Sequence, residues 1–176
     1  MARRFQAALM AALLAFGAAH AAMPNIAADV PGARVAGQGG FTWFGMKIYD
    51  ARLWVGDAGY VPDAPFALEL RYARTLSGAR IAEASAGQME KTGGGTPAQR
   101  AAWLNQMRAI FPDVKEGSSI TGVFLPGGAV RFHLDGADLG TIAEPGFAQA
   151  FAGIWLSPRT TAPRLREALL KEAARR

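Results

Sequence analysis

Residues 37–55 read GQGGFTWFGMKIYDARLWV, and their reading decides the fold. Three of the first four residues are glycine, and the rest is a long apolar run. Side chains alternate along a strand, so Phe41, Trp43, Tyr49, Leu53 and Val55 fall on one face. Phe44, Met46, Ile48 and Trp54 fall on the other. Both faces are then largely apolar, which predicts one long strand in the middle of the fold. Residues 34–38 read as a short strand before it, with Gly37, Gly39 and Gly40 marking a turn or bulge. The Gly-x-Gly-Gly text is no phosphate loop. It opens a strand rather than a helix and lacks the Lys-Ser/Thr ending.

Downstream, Phe66–Arg74 alternates cleanly and predicts a strand antiparallel to the central one. Phe66, Leu68, Leu70 and Tyr72 face the core there, and Glu69 and Arg71 face water. Helical spacing follows, begun by Ser77 or Gly78, with Ile81, Ala84, Ser85 and Met89 on one face and Gly93–Gly95 as the stop. Thr96-Pro97 starts a second helix carrying Trp103, Leu104, Met107, Ile110 and Phe111. Strands are predicted at 119–125 and 129–134, joined by Pro126-Gly127-Gly128, with a further short strand at 139–142. Glu144-Pro145 opens a helix carrying Phe147, Phe151, Ile154 and Trp155, and Thr161 caps a last one burying Leu165, Ala168 and Leu169. The order strands, two helices, strands, two helices predicts an α+β fold, an antiparallel sheet with helices packed on one face.

Upstream, Arg3 and Arg4 precede an apolar run, Phe5 to Phe16, and Ala19-His20-Ala21 has the small-x-small form of a cleavage site. That pattern predicts a signal peptide over residues 1–21 and a periplasmic or secreted protein. Cleavage leaves 155 of 176 residues (176 − 21), enough for one domain over 22–176, with residues 22–33 irregular. No later segment is long and apolar enough for a transmembrane helix. The net charge of +5 becomes +3 without Arg3 and Arg4. A basic cluster, Arg164, Arg166, Lys171, Arg175 and Arg176, closes the chain and reads as a solvated helix face. Export argues against a nucleic-acid partner.

The absence of cysteine excludes thiol catalysis and Cys-ligated zinc. After cleavage only His133 remains to serve a Ser-His-Asp triad, no Gly-x-Ser-x-Gly elbow accompanies any serine, and His133 reads as an exposed strand residue. Asp113, Glu116, Asp135 and Asp138 read as turn and capping residues. No metal or other cofactor is expected. The aromatic supply is the stronger clue, because it suits the lining of an apolar ligand pocket.

The central stretch, ELRYARTLSGARIAEAS, WLNQMRAIFPDVKEGSSITGVFLPGG and FAQAFAGIWLSPRTTAPRLREALL together resemble the bacterial chalcone isomerase-like family, over about residues 37–170. The resemblance implies an open-faced β-sandwich. True chalcone isomerases close a flavanone ring by phenolate attack on an enone, with an arginine on the first strand stabilising charge. Here that arginine position is Phe41, which offers neither charge nor a fork of donors. The family's threonine position corresponds to Tyr49, its tyrosine position to Ile81, its asparagine position to Gln88 and its last hydroxyl position to Ser157. No flavanone-forming activity is expected, and no catalytic residue is assigned. Plant non-catalytic members of the superfamily bind fatty acids, so the resemblance implies an apolar small molecule as ligand. Tyr72 would line the same pocket, and Arg74, Lys47 and Arg52 are the candidate cations for a carboxylate. An enzyme of unknown reaction using the same cleft, and a structural protein of the envelope, are the other readings.

Overall fold

A computed structural model describes residues 26–61 and 64–174. The predicted signal peptide and the last two arginines lie outside the described residues. Six strands form one antiparallel sheet in chain order: β1 Arg34–Trp43, β2 Met46–Val55, β3 Phe66–Tyr72, β4 Ser119–Phe124, β5 Val130–Leu134 and β6 Ala137–Ile142. Helices α1 Gly78–Thr92 and α2 Pro97–Ile110 follow β3, and α3 Phe147–Leu156 and α4 Pro163–Leu169 follow β6. This is the predicted α+β architecture, with the helices on one face of the sheet.

The 37–55 stretch is not one central strand. It folds back on itself as the β1–β2 hairpin at the sheet's edge. Phe44 and Gly45 form the two-residue turn, with φ of 47° and 77°. Paired positive φ values belong to the mirror-image turns that suit a twisted hairpin, usually written Asn-Gly rather than Phe-Gly. The glycines before it lie inside β1, which carries a bulge at Ala36; opposite Phe41/Thr42 the extra residue, Ile48, is on β2. The glycine at 37 is needed by α4: a Cβ there would overlap the carbonyl oxygens of Ala168 and Leu169.

The core lies between sheet and helices. Phe151 of α3 is its hub, with ring centroids 5.3 Å from Phe132, Phe147 and Trp155 and 6.3 Å from Phe111 and Phe124. Capping follows the sequence at α1, where Ser77 accepts from the Arg80 amide and Gly93 closes in a left-handed conformation. Thr96 and Gln99 form a reciprocal capping box on α2. Asp113 accepts from the Gly78 amide, and Asp135 from the Ser119 amide, as turn residues do. At α4 the cap is Ala162 rather than Thr161, and Pro163 at the first position has no N–H to satisfy. Ala168 is only half-buried there.

The opposite face of the sheet is partly covered too. Ile26 and Val30 pack on Trp54, Ala67 and Val123, and Asp29 pairs with Arg131 at 2.8 Å. Glu69, expected to face water, is buried on this face. Its carboxylate lies against the Trp54 indole, accepting from Nε1 at 3.1 Å, with Arg52 at 3.8 Å. His133, expected to be exposed, is half-buried on this face, and neither ring nitrogen has a hydrogen-bond partner among the described residues. The open edge of β1 is sealed by the chain's end. The Glu172 amide donates to Ala36 O, and the Arg34 guanidinium donates to the carbonyls of Glu172 and Ala174.

Candidate functional site

In-register pairing places Phe41, Tyr49 and Tyr72 side by side on β1, β2 and β3. Phe41 stacks on Tyr49 at 5.2 Å, and Tyr72 meets Tyr49 edge-on at 6.1 Å. This aromatic band is part of the floor of a cleft of about 370 Å³. Ile81, Ala84, Ser85 and Gln88 of α1 form one wall, and Phe151, Ile154 and Trp155 of α3 another. The α1 residues recur at helical spacing, so a single stripe of the helix faces the ligand space.

Polar groups in the cleft are few. Trp155 Nε1 donates to the Tyr49 hydroxyl at 2.9 Å. Burial pushes that hydroxyl up to about 12, against a smaller lowering by the Trp155 bond. Tyr49 is therefore neutral near pH 7, and its own O–H can be donated to a ligand. Burial, reinforced by Tyr49, raises the Tyr72 hydroxyl as well. Gln88 accepts from the Thr161 hydroxyl at 2.7 Å, leaving its amide N–H groups for the cleft. No carboxylate or imidazole is among the lining residues. Two cations are: Arg80 and Lys91, both on α1. They stand eleven residues apart, about 16 Å along the helix and nearly in line, one towards each end of the wall.

Five of the residues singled out from the sequence thus come together: Phe41, Tyr49, Tyr72, Ile81 and Gln88 line the cleft. Four do not. Arg52 faces Glu69 at 3.8 Å. Lys47 is paired with Asp50 at 2.7 Å. Alternation along a regular strand would put Lys47 beside Tyr49, but Phe41 pairs with Tyr49 and Thr42 with Lys47, so Ile48 is the extra residue of a bulge. The bulge inverts the alternation, sending Lys47 to the far face and Ile48 towards the cleft. Arg74 lies beyond the end of β3, its guanidinium 3.2 Å from Met46 Sδ. Ser157 lies at a second, wider hollow of about 900 Å³, edged by the glycine loops 93–95 and 127–128, and its hydroxyl accepts from the Arg159 amide. Sequence reasoning missed Arg80 and Lys91, although their spacing with Ala84 and Gln88 places all four on one helix stripe.

An uncharacterized protein of Haemophilus influenzae is 28% identical over 137 residues, covering 76% of this chain and 66% of that protein. Among solved structures, a fatty-acid binding protein of Arabidopsis thaliana superposes with a TM-score of 0.63 at 13% identity, over 81% of this chain and 89% of that one. It has the same fold. Residues 35–171 match the chalcone isomerase-like family, and the protein with its hairpin-edged sheet and aromatic cleft is a member of it.

Proposed function

We propose that the protein is an exported, non-catalytic binder of an apolar small acid, a fatty acid or a molecule of similar shape, held in the cleft between sheet, α1 and α3. The observation that carries this reading is the cleft itself. It has an aromatic floor, two aliphatic and aromatic walls, a neutral phenol as donor and cations only on α1. Such a lining takes up an alkyl chain by apolar burial, and Arg80 or Lys91 holds the carboxylate. The lining contains no acid–base pair matched to proton transfer near pH 7, and a phenol near 12 is a poor base there. Fatty-acid binding by the plant protein of the same fold makes this ligand class the first to test. The N-terminal charge and hydropathy pattern supports export.

Titration calorimetry with a long-chain fatty acid, and with its methyl ester, tests the reading. Saturable binding of the acid is expected, abolished by Ile81→Trp, which fills the cleft, and weakened about tenfold by Arg80→Ala or Lys91→Ala, the scale of one charge-assisted contact. No binding of the acid, or binding unchanged in Ile81→Trp, overturns it.

A further inference from the structure

The hairpin turn raises a separate question. Trp43 is 52% exposed, Phe44 86% and Met46 49%, three consecutive large apolar side chains on the outermost turn apart from Gly45. Trp43 and Phe44 meet edge to face at 4.9 Å, so they form one patch rather than scattered exposures. Folding does not require this composition. Phe44 holds a positive φ that an asparagine or glycine would adopt more readily, and among the described residues its ring stays open to solvent apart from the edge contact with Trp43. An exposed aromatic kept in a strained turn position points to an external apolar phase.

Charge identifies that phase. Arg74 is in contact with Met46, and Lys47 follows it in the chain. Asp50 is the acid beside them, and its ion pair with Lys47 is half exposed on both sides. Such a pair contributes little and exchanges readily for a phosphate partner. Aromatic residues beside two cations, Arg74 and Lys47, match the interface of a bilayer containing anionic lipid, where rings sit at headgroup level and cations meet phosphates.

We propose that the β1–β2 turn is a membrane-docking wedge: Trp43, Phe44 and Met46 enter the acyl boundary of an anionic bilayer, while Arg74 and Lys47 engage headgroup phosphates. Trp43 also lines the cleft, so docking brings the cleft mouth to the lipid surface. Docking itself does not rest on the ligand proposed above. A role in passing an apolar acid between bilayer and cleft does.

The four tryptophans make the test specific. Trp54, Trp103 and Trp155 are buried, so Trp43 reports the tip. The full chain is mixed with vesicles of phosphatidylethanolamine and phosphatidylglycerol whose acyl chains are brominated, and tryptophan emission is followed. The expected result is a quench that disappears in Trp43→Phe, falls severalfold in Phe44→Ser/Met46→Ser, and weakens with added salt or in vesicles without phosphatidylglycerol. This readout reports the tip alone, because the other three tryptophans are buried. No quench, or a quench that survives in Trp43→Phe, overturns the proposal. So does self-association that the double variant abolishes while the vesicles leave Trp43 unquenched. Fatty-acid titration of the same double variant without vesicles keeps the two proposals apart, because the cleft walls are untouched.

Discussion

Phe151→Ala is the sharpest test of how core and cleft are joined. The ring is 6% exposed and meets five other aromatic rings within 6.3 Å, so its removal strips the hub from the cluster. Truncating a buried phenylalanine to alanine destabilises by about 3–5 kcal/mol, through lost transfer energy and the cavity left behind. Here the lower part of that range applies, about 3–4 kcal/mol, because Phe151 borders the cleft and the new space opens into it. For a chain of this size that corresponds to a fall in melting temperature of roughly 6–16 °C. Urea unfolding should show a lower midpoint with an unchanged slope, the mark of a stability change without altered compactness. The enlarged cleft should also accept a longer or bulkier apolar acid, and saturating ligand should restore part of the lost stability. A loss below about 1 kcal/mol would refute the reasoning, since a hub so enclosed cannot be removed that cheaply.

Other substitutions probe the rest of the frame. Gly37→Ala should destabilise by roughly 1–3 kcal/mol, because its methyl meets main-chain carbonyls of α4 that cannot swing aside; amide exchange at Glu172, bonded to Ala36, should quicken with it. Gly87→Ala should stabilise by about 0.5–1 kcal/mol in thermal melts, since it lies inside α1 and an added Cβ meets nothing within 4 Å. The Tyr49 hydroxyl ionises near 10.0 when unfolded and at about 12 when folded. Its contribution is therefore fully present below pH 10 and declines as pH rises towards 12, by about 2–3 kcal/mol in urea titrations. Tyr49→Phe should flatten that decline and lower stability at neutral pH by about 1 kcal/mol, because Trp155 loses its acceptor.

The sequence was most legible where one local rule sufficed. Thr96-Pro97, Pro126-Gly127-Gly128 and the helical spacing of Trp103 and Met107 led directly to elements the structure contains. It was least legible where one residue reset a periodicity. Phe44-Gly45 lacks the residue types that announce a two-residue turn, so a hairpin read as a single strand. The Ile48 bulge then moved Lys47 off the cleft face, something regular alternation cannot reveal. Glu69 looked solvated because its strand alternates cleanly, yet its carboxylate is buried against the Trp54 indole of the neighbouring strand, a cross-strand contact that alternation does not show. Of the aromatic floor, Phe41 and Tyr49 were reached through the family resemblance, since the strand pattern laid them on a single strand. The cations depended on knowing which stripe of α1 faces inward.

The clasp on β1 has a consequence for assembly. Arg34 meets its carbonyl partner at Glu172 across 138 residues of chain. A sheet whose first strand is clasped by residues 172–174 cannot close that border before those residues have emerged. Until then β1 offers unpaired main-chain groups to any passing strand. Residues 172–174 therefore act as a completion signal: substitutions or deletions that disturb them should favour aggregation out of proportion to the few contacts removed.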